Sequence, residues 1–453
     1  MKITGNNMLM QTDRAEIIWP DMYKIWRDFC QAPELPFCDR WLKQIFKTQF
    51  PVVRVSLPEQ LALTQGFNLA ITYLELATYL QQAYNKEVED FTTEDFFAFD
   101  AKFVPQQAKD LPHTDFWYWV ALRTNLPCEE LSVREKNKRH AFYSRFRKYA
   151  ENTNNTAAQL LWHGLRPEFL EALNARAEAS GWTQNEKLTF IQNQSLPLPL
   201  WVRNNSTMSE RDVADSLIAD GVNAEVDANG FVYADGGRGI NQARLYKTGE
   251  IEIQDLSSQH IALAVAVEPG QKVWDACAGA GGKTLAIASR MGNKGVIVAT
   301  DLYDYKLLEL KRRAKRAEIF NLRMFTWDGR APLRLPKEVA RQKGFDWILI
   351  DAPCSSSGTW RRNPDARWRF NAQDTADLVT IQQQIMLQSL PGLRKDGHLV
   401  YATCSWQVAE NEAQVQWLLS QAPELELVSQ QVFGSPHEQS DTMYMAIMKK
   451  VSA

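Results

Sequence analysis

Several absences narrow the field before any motif is read. There are six cysteines in 453 residues, at positions 30, 38, 128, 277, 354 and 404, and no two of them form a CxxC pair. That argues against a zinc site, so no metal is expected. Cysteines this sparse do not build a disulfide scaffold either, and they fit a reducing cytosol in which thiols stay free for chemistry. No run of about 18 apolar residues occurs, so no membrane span and no membrane partner are expected. The N-terminus lacks the charged, then apolar, then small-residue order of a signal peptide, and a cytoplasmic protein is expected. Charge of one sign is not in excess: the formal net charge is −3. This argues against a protein that coats nucleic acid by charge alone. No internal repeat and no low-complexity tract is present, and a monomer is the default expectation.

What is present is ordinary in bulk and uneven in detail. Hydrophobic residues make up 45% and charged residues 23%, the balance of a globular protein. The length predicts two or three domains. Fifteen tryptophans is a high count. The basic residues cluster, which leaves nucleic acid open as a partner. One run holds Lys311, Arg312, Arg313, Lys315 and Arg316, and another holds Arg361, Arg362, Arg367 and Arg369. A third, Arg134 to Lys148, is interleaved with Phe142, Tyr143, Phe146 and Tyr149.

The chain reads in three parts. Residues 1–155 have helical patterning and two aromatic clusters, Phe96-Phe97-Ala98-Phe99 and Phe116-Trp117-Tyr118-Trp119. The polar segment Glu151–Thr156 is the linker candidate. Residues 156–260 form a small α+β unit, with a strand ending at Asn204 and a helix through Val213–Ile218. Over residues 261–453 strands and helices alternate. Strands are predicted at Val273–Ala276, Val296–Thr300, Leu322–Thr326, Phe345–Ile350 and His398–Thr403, with two more at Leu425–Ser429 and Met443–Met448. Helices are predicted at Lys283–Arg290, Tyr305–Glu318, Thr375–Leu390 and Val408–Leu419. This rhythm predicts an α/β, doubly wound, Rossmann-like domain with ligands beyond the carboxyl ends of its strands.

The first of those strands runs into VWDACAGAGGKT, residues 273–284. Glycines at 279, 281 and 282 let the backbone turn tightly and approach a ligand, and the next helix offers free N–H groups. The GxxxxGK[ST] spacing of a nucleotide-triphosphate loop is absent. Asp301 ends the second strand, where a carboxylate can bind two ribose hydroxyls or cap the next helix. Asp328 ends the third and can reach an adenine amino group, or serve only as a turn aspartate before Gly329. Together they favour an adenosine-type cofactor. Lys306, one helical turn past Asp301, can neighbour the ribose or stand in solvent.

The fourth strand delivers DAPCSSSGTWRRNPDARW, residues 351–368, and the fifth YATCSWQ, residues 401–407. Each places a cysteine just past the carboxyl end of a strand. One buried cysteine is usually a small core hydrophobe. Two after adjacent strands, among Pro, Ser and Gly, read as chemistry.

At these residues the sequence resembles the bacterial RNA (cytosine-5) methyltransferases of the NOP/Sun family, over roughly residues 196–420. The resemblance rests on CAGAGGKT, the positions of Asp301 and Asp328, DAPCSSSG with RRNPD after it, and YATCS followed by Glu410-Asn411-Glu412. It implies S-adenosylmethionine as cofactor, contacted by Cys277, Ala278, Gly279, Ala280, Gly281, Gly282, Lys283, Asp301, Asp328 and Asp351. It also implies that Cys404 is the nucleophile and that Cys354 assists product release. Carbon 5 of cytosine is too weak a nucleophile to take a sulfonium methyl directly. A thiolate adding at carbon 6 makes carbon 5 nucleophilic and divides one hard step into easier ones. An acid beside ring nitrogen 3 stabilises the adduct, and Asp351 is placed for that role.

Upstream, LWVRNN and Ile253–Gln259 resemble the family's RNA-recognition-like subdomain, and Arg203 and Asn204, with Arg361 and Arg362, are candidate RNA contacts. As strand residues, Arg203 and Asn204 can instead simply pack or pair. The helical region resembles in size the NusB-like domain of ribosomal RNA members, and its basic-aromatic stretch can bind RNA by phosphate contact and ring stacking, or be an amphipathic helix with a solvated face. Three features depart from the family pattern. Gly279-Ala280 stand where Ala-Pro is common, Val408-Ala409 lack a family proline, and the tail reads GSPHEQSDTMYMA. The expected function is RNA cytosine-5 methylation, with ribosomal RNA the favoured partner and transfer RNA an alternative. A non-catalytic RNA-binding assembly factor on a methyltransferase scaffold, and a methyltransferase for another acceptor, remain as competing readings.

Overall fold

The computed structural model describes residues 15–32, 36–48, 57–126, 128, 131–152, 154–234, 239–370 and 372–451. The chain divides into two compact units. One runs up to Glu171 and takes in Arg367–Arg369; the other comprises Ala172–Ala366 and Phe370–Ala453.

Among its described residues, the first unit is all-helical in its regular structure. Its longer helices are Ala15–Gln31, Leu57–Thr72, Leu74–Asn85, His113–Thr124 and Val133–Ala150. The aromatic clusters of the sequence are its core: Trp26 stacks on Phe116 with centroids 5.0 Å apart, and Phe91 meets Phe146 edge-on at 5.1 Å. Such pairs add to the large apolar area each ring buries. The polar segment expected as a linker is instead a tight turn inside this unit. Asn155 caps the helix Thr156–Trp162 by accepting the Ala158 N–H, so this polar side chain serves a backbone group that a helix start leaves unmet.

The second unit begins with two helices, Leu170–Ala179 (whose first two residues belong to the helical unit) and Gln184–Asn193, so mixed structure starts only near residue 200. There, strands β1 (Leu200–Asn204), β2 (Ala224–Val226), β3 (Val232–Ala234) and β4 (Ile251–Ile253) form an antiparallel sheet in the order β2-β3-β1-β4. Alternation decides its faces. Val202, Val232 and Ile251 join Val213 and Leu217 of the helix Glu210–Ala219 in one core. Trp201, Arg203 and Glu252 therefore point the other way.

The larger sheet contains β5 (Lys272–Asp275), β6 (Val296–Asp301), β7 (Leu322–Thr326), β8 (Phe345–Asp351), β9 (Leu393–Thr403), β10 (Leu425–Phe433) and β11 (Met443–Lys450), in the order β10-β11-β9-β8-β5-β6-β7. β5 to β9 are parallel, and the last two strands close the β9 edge antiparallel. This is the expected Rossmann-like arrangement. Strand order reverses between β5 and β8, and ligands bind at the carboxyl side of such a switch point. Those two strands end at Asp275 and Asp351. β8 is a continuous buried run from Phe345 to Ile350, as a strand covered on both faces must be.

One predicted helix is broken. Val408–Leu419 becomes a single turn, Val408–Glu410, and a helix, Glu412–Gln421. Asn411 between them has φ −118° and ψ −102°, because its side chain binds Thr403 Oγ1 and the Ser405 carbonyl instead of joining the helix.

Candidate active site

The glycine loop follows β5. Gly279 has φ +55° and Gly281 φ +89°. A Cβ at Gly281 would lie 2.1 Å from Leu310 Cδ1, whereas Gly279 faces open space. The glycine that replaces a more usual alanine therefore takes the left-handed conformation itself and leaves the concave side clear. Asp301 holds the loop: its carboxylate accepts the Gly279 N–H at 2.9 Å and the Tyr303 N–H at 2.9 Å. Lys306 reaches to 3.8 Å of Asp301 and lies over the Tyr303 ring, with its side chain still 37% exposed. Asp328 is half-exposed at the end of β7 and accepts the Arg330 N–H. Beneath the loop, Asp275 is buried. It accepts from Thr284 Oγ1 at 2.6 Å, while its other oxygen has no hydrogen-bond partner. Burial pushes its pKa up to about 7. An open glycine turn, free helix N–H groups and carboxylates at the ends of β6 and β7 together fit an adenosyl ligand carrying an amino-acid tail.

The two cysteine motifs converge. Cys354, after β8, and Cys404, after β9, have their sulfurs 3.4 Å apart, and both are free thiols. Ser356 Oγ lies 3.5 Å from Cys404 Sγ. The pair is asymmetric. The hydrogen bond from Cys354 outweighs burial and lowers the Cys404 pKa below the ordinary thiol range, with Ser356 and the Lys283 ammonium acting in the same sense. The same bond, with burial and the negative charge of Glu410, raises Cys354 well above it. Cys404 is thus the more acidic of the two thiols and Cys354 the less acidic. Lys283 donates to Asp351 at 2.7 Å. Burial opposes the charge on Lys283, but the Asp351 carboxylate prevails and raises its pKa. The helix after the glycine loop and the end of β8 are thereby joined at the mouth of the thiol site.

A buried polar frame holds these loops in register. Glu410, fully buried, accepts the Ser355 N–H at 2.8 Å, the Ser355 hydroxyl at 2.5 Å and Gln382 Nε2 at 3.2 Å. Ser357 Oγ accepts the Trp406 N–H, and Gly358 N donates to the Cys404 carbonyl at 3.0 Å. A Cβ at Gly358 would lie 1.7 Å from the Thr442 carbonyl oxygen, so only glycine fits where the two loops cross. Arg176, fully buried, donates to the Trp406 carbonyl and grips Glu412 with two bonds of 2.8 and 2.6 Å. Sequence reasoning quoted Glu410 and Glu412 only as part of a pattern and missed Arg176, about 230 residues from its partners; nothing local marks it.

The candidate RNA contacts are placed differently from expectation. Arg203 is buried, donating to Asn205 Oδ1 at 2.8 Å, to the Gly282 carbonyl at 2.7 Å and to Gln254. Asn204 organises its own turn, bonding Met208 O and accepting from Ser206. Arg361 donates to Leu196 O and to Gln439, and Arg362 to Asp255 at 2.7 Å and Asp441 at 3.1 Å. These four residues tie elements of the second unit together. In the helical unit the interleaved rings do not face outward: Phe142, Tyr143 and Phe146 are core residues, and Arg139 is buried against Asp115 and Glu135. The stacking reading of that stretch fails, because the rings of an amphipathic helix go to the core while its charges stay in water.

Comparison with known proteins agrees with this geometry. Residues 262–449 match the family model described as 16S rRNA methyltransferase RsmB/F. The chain is 32% identical over 265 residues to the probable ribosomal RNA small subunit methyltransferase B of Bacillus subtilis (strain 168), a match covering 57% of each chain. It is 30% identical over 284 residues to ribosomal RNA small subunit methyltransferase B of Yersinia pestis bv. Antiqua (strain Angola), covering 61% of this chain and 63% of that one. The chain therefore matches about three-fifths of the length of these relatives. Among solved structures, PH0851 is similar with a TM-score of 0.66 and 21% identity, over 96% of this chain and 99% of that one. NSun6 from Pyrococcus horikoshii, solved with SFG, gives a TM-score of 0.53 and 17% identity, over 63% of this chain and 98% of that one. These two likenesses show the fold.

Proposed function

We propose that this chain, whose residues 262–449 match the family model described as 16S rRNA methyltransferase RsmB/F, uses S-adenosylmethionine to form 5-methylcytosine in ribosomal RNA through a covalent bond from Cys404 to carbon 6 of the base. The observation that carries the reading is the asymmetric thiol pair, with sulfurs 3.4 Å apart, beside the Lys283–Asp351 ion pair. The bound cofactor supplies an electrophilic methyl group. The protein's side chains do the rest. Cys404, made more acidic by the Cys354 S–H, adds as the thiolate to carbon 6, and the electron pair moves to carbon 5, which takes the methyl. Asp351 faces the base as a hydrogen-bond acceptor held by Lys283. The acid role at ring nitrogen 3 then means holding that N–H, with Lys283 giving the proton as the adduct forms and taking it back as the adduct breaks down. The carbon 5 proton leaves to solvent or to a base that Cys354 positions, and the returning electron pair expels the Cys404 thiolate. Cys354 receives the departing sulfur with its own S–H. The target cytosine must be unstacked to enter. Free thiols fit the reducing cytoplasm, and no helix among the described residues is long and apolar enough to cross a membrane.

Cys404→Ala is expected to lower methyl transfer at least about a thousandfold while S-adenosylmethionine still binds. Near-normal transfer in that variant would sink the mechanism. Cys354→Ala is expected to accumulate a denaturation-resistant protein–RNA complex, visible as a shifted band on a denaturing gel. Bisulfite sequencing of ribosomal RNA with and without the protein then identifies the base, and an unchanged pattern there would reject the RNA assignment.

A further inference from the structure

The free thiols of this chain differ sharply in setting. Cys30 and Cys38 are buried, whereas Cys128, Cys277, Cys354 and Cys404 are partly accessible. Burial pushes the Cys30 thiol up to about 12 and Cys277 well above the ordinary thiol range. Cys404 is displaced the other way. Its Sγ also has a second thiol within reach, Cys354 Sγ at 3.4 Å. A disulfide separates its sulfurs by about 2.05 Å, so each sulfur has to travel only about 0.7 Å to bond. The loops that carry the two thiols are tied to each other. Gly358 N donates to the Cys404 carbonyl at 3.0 Å. The Ser355 and Ser357 hydroxyls meet Ser405 Oγ at 3.1 and 3.0 Å. The sulfurs are therefore held side by side.

Thiolate character, partial access and a neighbouring thiol are the features that make a cysteine a site of reversible oxidation. We propose that Cys354 and Cys404 are a peroxide-sensitive pair, in which oxidation joins the two sulfurs in a reversible disulfide. The oxidant is hydrogen peroxide, which is small enough to enter a half-buried site. The Cys404 thiolate attacks one peroxide oxygen. An S–O bond forms, the O–O bond breaks, and hydroxide leaves, giving the sulfenic acid. Cys354 sulfur then attacks Cys404 sulfur. The S–S bond forms, the S–O bond breaks, and the departing hydroxide takes the Cys354 proton as water. The two sulfurs lose two electrons and the peroxide gains them. A dithiol reductant reverses the bond and is itself oxidised to a disulfide, so a reducing compartment keeps the pair open at rest. Once linked, neither sulfur can add to a base. That consequence rests on the covalent reading of Cys404; the oxidation does not.

The full chain, freed of reductant, is treated with hydrogen peroxide, blocked with iodoacetamide and digested without reduction. Mass spectrometry is expected to find the Cys354 and Cys404 peptides joined. The six free thiols should fall by two and be restored by dithiothreitol. The linkage is expected to form at least about tenfold faster than Cys30 or Cys277 is oxidised. Cys354→Ser is expected to give no linkage and to hold Cys404 as the sulfenic acid, captured by dimedone. A wild type that keeps all its thiols, that takes Cys404 to sulfinic acid with no joined peptide, or that joins Cys404 to another cysteine overturns the proposal. Methyl transfer by the linked protein is then measured. A loss of at least about tenfold, recovered with dithiothreitol, supports the switch. Linkage with transfer unchanged leaves the oxidation site standing and overturns the covalent role of Cys404, so the two failures are told apart.

Discussion

Cys354 and Arg361-Arg362 lie on the same stretch after β8, seven or eight residues apart, and in the sequence both looked functional. The structure separates them. The cysteine meets a second thiol at 3.4 Å at the mouth of the parallel sheet. The arginines turn to Leu196, Gln439, Asp255 and Asp441 and lock a loop crossing. The difference is one of alternatives. A thiol makes few strong hydrogen bonds, so a pair of thiols among serines at a strand end has little structural reason to be there. A guanidinium has five donors and finds carbonyls and carboxylates wherever chain segments cross. Clustered basic residues in a sequence therefore report surface charge poorly, while a matched pair of cysteines after adjacent strands reports their meeting in space well.

That contrast can be broken or sharpened by experiment. After the loss at Cys404, the largest effect is expected at Arg176→Met. It leaves Glu412 facing an apolar side chain in a mostly buried setting and should lower unfolding free energy by about 3 kcal/mol in urea titration. A change below about 0.5 kcal/mol would mean the grip on the Cys404 loop is incidental. Gly281→Ala combines a positive φ with a collision on Leu310. It should cost about 1–3 kcal/mol in stability and weaken cofactor binding in calorimetry, since the loop must shift to fit the methyl group.

A smaller effect is expected in the pH dependence of Cys404 alkylation by iodoacetamide. The Cys354 S–H bond lowers the Cys404 pKa, so thiolate reactivity in the wild type persists below the ordinary thiol range. In Cys354→Ala that donor is gone and the midpoint moves to higher pH, while Cys354→Ser, which keeps an O–H donor, moves it less. An unmoved midpoint in Cys354→Ala would show that the asymmetry has another source. The smallest effect, near zero, is expected in the salt dependence of RNA binding by Arg361→Ala and Arg362→Ala. Each lost phosphate contact would reduce the log–log slope by about 1; structural arginines leave it unchanged.

Much of the second unit was legible in advance, for stated reasons. Strands β5, β6 and β8 lie within a residue of their expected positions because a parallel strand buried on both faces writes a largely apolar run; β7, the half-exposed edge strand, also matches its expected span. Asp301 and Asp328 were found from their places at strand ends. The errors have one pattern. The break at Asn411 comes from Thr403, eight residues earlier. The burial of Arg203 comes from Gln254 and Gly282. In each case a helix or surface preference read locally is overridden by a partner that is distant in sequence.

By itself, the sequence determined the setting of the site: the glycine turn, the strand-end carboxylates and two cysteines at matching strand ends dictate where a cofactor fits and which two thiols stand beside it. These are properties of backbone conformation and element order, and both are written locally. Only the tertiary structure decided which thiol is the more acidic, which arginines are braces, and that Arg176 and Glu410 hold the two cysteine loops together. Hydrogen bonds and desolvation settle those questions, and both depend on which distant residues are brought within about 3 Å of one another.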